Sequence, residues 1–150
     1  MKISPRAIPA FFLILLGAIL SSVVMNVNSL WYKNLIKPKY NPPNYLFGLV
    51  WPVLYILFWL TFILSDPEDN TVVTLFVIIA ILLAMWSPVF FLFQSPQLAS
   101  IVLILLILVS LAYAFVIFKK SVLAFVLFLP FLAWISFATY LNISISQLNP

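Results

Sequence analysis

Five uninterrupted apolar stretches, each close to the length of a membrane crossing, take up most of this chain. They run approximately Ile8–Val27, Tyr45–Ser65, Thr71–Phe93, Leu98–Phe118 and Val122–Leu148. A bilayer's hydrocarbon core is about 30 Å thick and takes about 20 helical residues to span. Each stretch therefore predicts one crossing. Leu, Ile, Phe and Val are mixed in them without the apolar–polar alternation of membrane strands. In lipid the backbone must satisfy its own hydrogen bonds, which leaves helices. The expected fold is an all-α membrane protein: a five-transmembrane-helix bundle, one domain over residues 1–150. Composition closes off the soluble alternative. Only 7% of residues are charged and 66% are hydrophobic, against about 25% charged in ordinary soluble domains. Too few polar side chains exist to coat a water-facing surface.

What is missing excludes whole classes of chemistry. The chain has no Cys and no His, so disulfides, thiol nucleophiles, the usual zinc sites and histidine acid–base catalysis are out of reach, and no metal site is expected. The two commonest protein ligands of haem iron are absent as well. The three acids, Asp66, Glu68 and Asp69, share one short turn. No carboxylate is left inside a predicted span for a proton relay or a cation path. The net charge of +4 sits at ends and loops, which fits contact with lipid headgroups and not with nucleic acid. It gives no orientation: Lys2, Arg6, Lys119 and Lys120 fall on one side, Lys33, Lys37 and Lys39 on the other. The first stretch also reads as a secretory leader, with its basic start and Ser21-Ser22, although its apolar run is long for one.

The connector between the first two stretches, roughly Asn28 to Asn44, is the longest, and it contains KPKYNPP. Each proline fixes φ and restricts the residue before it, predicting a stiff, extended segment. It is either a cap over the bundle or a spacer. Just beyond it, Phe47, Trp51 and Tyr55 recur at i, i+4 and i+8, which aligns them on one helix face. Trp86 and Phe90 repeat the spacing, and Phe131, Trp134 and Ala138 do so approximately. Two readings stay open on spacing alone. The rings form an interfacial belt or packing contacts, or they line an apolar chamber beneath a stiff lid. Pro52, Pro88 and Pro130 fall within spans, where neighbouring helices tolerate a kink. Ala80 and Ala84 form a small-xxx-small pair that suggests a homodimer face.

These residues resemble a known family. Trp31, Tyr32, Leu35, Lys37, Pro38, Tyr40, Pro42, Pro43, Phe47, Val50, Trp51, Leu54 and Tyr55 are similar to the signature of the TspO/MBR family of tryptophan-rich sensory proteins and translocator proteins. Trp86, Ser87, Pro88, Phe90 and Phe91 resemble that family's WSPxFF. Pro130, Phe131, Trp134, Phe137, Ala138, Tyr140, Leu141 and Asn142 resemble its PYxxWxxFAxYLN. The resemblance implies a five-helix bundle, commonly dimeric, whose first loop closes a pocket for porphyrins and synthetic aromatic ligands. On that reading Tyr32, Pro42, Phe47, Trp51, Tyr55, Trp86, Phe90, Phe131, Trp134 and Ala138 contact the ligand, and Lys37, Pro38, Tyr40 and Pro43 belong to the lid. The lid lysines would meet propionate-like carboxylates. No cofactor is required, porphyrin being the ligand, and residence in the cell membrane is implied. The chain departs from the family's pattern in two places. Leu83 stands where an Asn is common, which removes a polar contact, and the fourth span lacks the Asp that many relatives carry. The sequence after Tyr140 has no Lys or Arg, so a cholesterol-recognition pattern is unsupported. Three functions follow: a porphyrin-binding sensor or transport-related receptor, an enzyme degrading porphyrin through Trp51 and Trp134, or a regulatory protein acting through partners.

Overall fold

In the computed structural model, which describes residues 4–150, six helices follow one another: α1 (Ala7–Val24), α2 (Leu30–Asn34), α3 (Asn44–Ser65), α4 (Asn70–Ser87), α5 (Pro96–Phe118) and α6 (Val122–Leu148). A π-helical turn, Pro88–Leu92, extends α4. With that turn counted into α4, the five long helices are each long and apolar enough to cross a bilayer. No strand occurs among the described residues.

The ends of the helices follow from local chemistry. Pro9 and Pro96 sit in the first turns of α1 and α5, where the missing N–H has no helical acceptor to lose. Asp69, Ser95 and Ser121 cap α4, α5 and α6 by accepting hydrogen bonds from exposed backbone N–H groups. The connector departs from the expected uniformly extended segment. Ser29 accepts from the Tyr32 N–H and starts the short helix α2 before the prolines take over. Pro88 does not simply kink α4. The chain widens there, and the Phe93 N–H reaches back five residues to the Pro88 carbonyl.

Packed neighbours close a ring in the order α1, α3, α6, α5, α4 and back to α1. At its centre lies a stack of phenyl rings. Phe58 is fully buried with ring centroids 4.3 Å from Phe76 and 5.2 Å from Phe131, and Phe128 and Tyr113 complete the cluster. The Tyr113 hydroxyl shares a 3.2 Å hydrogen bond with Thr61, so the one phenol in this core is satisfied. Ala80 and Ala84, expected at a homodimer face, pack inside the chain. A Cβ placed on Gly17 of α1 would stand 3.4 Å from the Ala84 Cβ and 3.9 Å from the Ala80 carbonyl oxygen. Small side chains let α1 and α4 approach, the usual role of such residues between membrane helices.

The end of the bundle away from the prolines is held by charge. Lys120 lies 2.6 Å from the Asp69 carboxylate and 3.2 Å from that of Asp66. Arg6 donates to the Asn70 side chain at 3.1 Å and to the Glu68 carbonyl at 3.3 Å. Asp69 is held down to about 2 by the Lys120 ammonium and by the Thr71 N–H that it caps. A depressed carboxylate stabilises the fold fully above its ordinary value, and that contribution disappears as pH falls through the lowered one. Thermal melting in detergent is thus expected to be flat near neutrality and to drop as pH approaches about 2. Asp69→Asn should remove most of that acid slope.

Candidate functional site

A cavity of about 550 Å³ lies between α1, α3 and α4. Its α3 wall is Phe47, Trp51 and Tyr55, the stripe expected from their spacing, and Trp86 faces them from α4. The rings form a continuous surface. Trp51 stacks on Tyr55 at 5.6 Å and lies 6.4 Å from Trp86. Ile14, Ala18, Ser21 and Met25 of α1 form the opposing wall. Leu83, at the position where an amide was expected to be missing, also lines the cavity, and its wall is apolar there. Polar groups are sparse. Ser22 donates to the Ile19 carbonyl and Ser87 to the Ser21 carbonyl.

Two smaller spaces continue toward the prolines. A chamber of about 40 Å³ is shared by Tyr32, Phe90, Ala138 and Asn142 with the far faces of Phe47, Trp51 and Trp86. Above it, an open basin of about 420 Å³ is lined by Tyr32, Lys33, Lys37, Asn41, Pro42 and Pro43. Of the remaining residues named from sequence, Trp134 meets Trp51 edge-on at 6.4 Å and Phe47 at 6.0 Å, behind the cavity wall. Phe131 is fully buried in the phenyl stack of the core, away from all three spaces. The α6 side of the bundle faces α3 and α5, so its aromatics support the wall and do not form one. Tyr40 is exposed beneath the Lys39 ammonium, and Pro38 closes a turn by accepting from the Asn41 N–H.

The proline-rich connector is tied to the bundle. The Asn149 side chain pairs with the Ile36 backbone in both directions, accepting from its N–H at 3.0 Å and donating to its carbonyl at 2.9 Å. Lys37 donates to the Tyr32 carbonyl at 2.7 Å and lies 4.4 Å from the Tyr32 ring centre. Burial lowers the Lys37 ammonium and raises the Tyr32 phenol. The Lys37 ammonium is thus committed to the connector's own backbone, which leaves Lys33 as the more exposed cation of the basin. Tyr32 wedges against Phe90 and Phe91, the residues that the π turn carries.

Sequence reasoning missed two groups. The α1 wall had one visible sign, the small residues Gly17, Ala18, Ser21 and Ser22 in an otherwise bulky helix. The second is a buried network around Asn142. The Asn142 carbonyl oxygen accepts from the Trp86 indole N–H at 3.2 Å, and its amide donates to the Pro96 carbonyl at 2.7 Å and to the Ser100 hydroxyl at 2.8 Å. This links three helices and sets the tilt of the Trp86 ring. Asn142→Leu strands those partners in an apolar interior, at about 1–3 kcal/mol for a buried polar group left unpaired. The expected result is a lower melting temperature together with a changed Trp86 emission, read against the same change in a Trp86→Phe background.

Comparisons with known proteins agree with the motifs. A family model described as the TspO/MBR family matches residues 9–148. The chain is similar to the tryptophan-rich protein TspO of Chlorobaculum tepidum, 42% identical over 81% of each chain. It is similar to a tryptophan-rich sensory protein of Cereibacter sphaeroides, 35% identical over 79% of this chain and 77% of the relative. It is also similar to the translocator protein of Homo sapiens, 32% identical over 75% and 70%.

Proposed function

The chain belongs to the TspO/MBR family of multi-pass membrane proteins, and from that premise we propose that it binds porphyrins and similar flat hydrophobic molecules, acting as a sensor or a transport-related receptor. The observation that carries this reading is the convergence of Phe47, Trp51, Tyr55 and Trp86 on one apolar cavity of about 550 Å³. That volume lies within the range of small-molecule sites, about 300–1,000 Å³. A wall of adjoining indole and phenol faces suits a planar aromatic guest, which prefers offset or edge contacts with such rings. The relatives' names, sensory protein and translocator protein, point to the same two roles.

Titration with protoporphyrin IX, followed by quenching of tryptophan emission, tests the binding. A saturable curve in the purified protein supports the reading, and the absence of quenching at ligand concentrations well above micromolar removes it.

A further inference from the structure

We infer that the ligand reaches this cavity sideways, from the bilayer, through a gap between α1 and α3 whose threshold is the Gly48–Pro52 turn. The inference rests on the cavity being the ligand site. Near the acidic turn the two helices are tied together. The Trp59 indole N–H donates to the Ala7 carbonyl at 2.9 Å, and Phe11 meets the Trp59 ring at 5.2 Å. The buried residues of α1, Ala7, Ala10 and Ile14, all belong to its first half. Beyond them α1 leans on α4, through Gly17 against Ala84 and the Ser21 carbonyl against Ser87.

The α3 side of that second half borders the cavity, which Ala18, Ile19, Ser21 and Ser22 line. Ile19 from one rim and Ile56 from the other line the cavity and are each more than half exposed on the bundle's flank. Gly48 of α3 also lines the cavity, and no heavy atom lies within 4 Å of where its Cβ would be. Any larger residue at this position would project into the gap. Pro52 has no N–H, so the Gly48 carbonyl lacks its helical donor four residues on. In lipid such a group needs a partner, and here it offers an acceptor at the rim to donor groups on an incoming molecule.

The way through the lid is narrow by comparison. Only about 40 Å³ separates the cavity from the basin, and Tyr32, Phe90 and Phe91 fill the space around it. Asn149 holds Ile36 by two hydrogen bonds, so widening that path means breaking them.

The test compares stopped-flow rates of protoporphyrin IX binding in lipid vesicles for the parent, Gly48→Leu, Ile19→Trp and Asn149→Ala. Narrowing the gap should slow association and dissociation together, each by about tenfold, because a gate acts on both rates. A change confined to the cavity lining would leave association at the parental rate and overturn the route. Releasing the lid through Asn149→Ala should leave both rates within about twofold of the parent. Faster exchange in Asn149→Ala with parental rates in Gly48→Leu and Ile19→Trp would overturn the lateral route while leaving binding intact. A parent protein that binds no porphyrin overturns the binding reading itself, and this one with it.

Discussion

Trp51→Ala should weaken porphyrin binding by about 100-fold, the largest loss expected from any single change in the cavity. Each offset or edge aromatic contact is worth about 0.5–1.5 kcal/mol beyond the area it covers, and tenfold in affinity corresponds to about 1.4 kcal/mol. Trp51 presents a ring to the cavity and also braces Tyr55, Trp86 and Trp134. Its removal takes one ring out of the α3 wall and loosens Tyr55 and Trp86 beside it. Trp134→Ala takes away support without touching the cavity lining, so its effect should be smaller, about tenfold at most. The measurement is the midpoint of porphyrin quenching, with far-UV circular dichroism confirming that both variants remain helical. Unchanged affinity in the double variant would show that the porphyrin lies elsewhere.

Phe58→Ala should be the most destabilising substitution in the bundle. Its ring is fully buried and stacks between Phe76 and Phe131. In soluble proteins a buried Phe→Ala change costs about 3–5 kcal/mol, part of it transfer from water and part the cavity left behind. In a membrane the separated helices still keep the ring in lipid, so the transfer part largely falls away and lost packing remains. The expected cost is therefore below that range, about 2–3 kcal/mol. At this chain length that corresponds to a fall in melting temperature of about 5–10 °C. Melting in detergent or titration with a denaturing detergent measures it. Phe58→Leu should recover a large part of the loss, since it restores bulk but not stacking. A Phe58→Ala protein that melts with the parent would mean that the phenyl stack adds little to the bundle.

Two regions show where sequence reasoning worked and where it stopped. The α3 stripe was legible because three aromatics one turn apart on a single helix must share a face, whatever surrounds them. The partner wall was not. Phe131 and Trp134 carry the same kind of spacing, yet one is in the core and the other lies behind Trp51. Spacing says which residues share a face and is silent on what that face meets. The same limit hid the network around Asn142, whose three partners on α4 and α5 lie 42 to 56 residues away in the chain. It also concealed that Lys37 is occupied by the Tyr32 carbonyl in place of a ligand. Asn149 carried no sequence signal of any kind.

The amino-acid sequence by itself determined that this chain crosses a membrane five times as helices. Lipid offers the backbone no hydrogen bonds, and a run of about 20 apolar residues has no other way to satisfy its own. It also settled where the spans break, since prolines, serines and charges act on the nearest turn. Which helices become neighbours was decided only in three dimensions. Apolar faces are all equally at home in lipid, so association depends on shape and on a few polar contacts. Gly17 admitted α4 to α1, Trp59 held α1 to α3 near the acidic turn, and the space left among the three helices became the cavity.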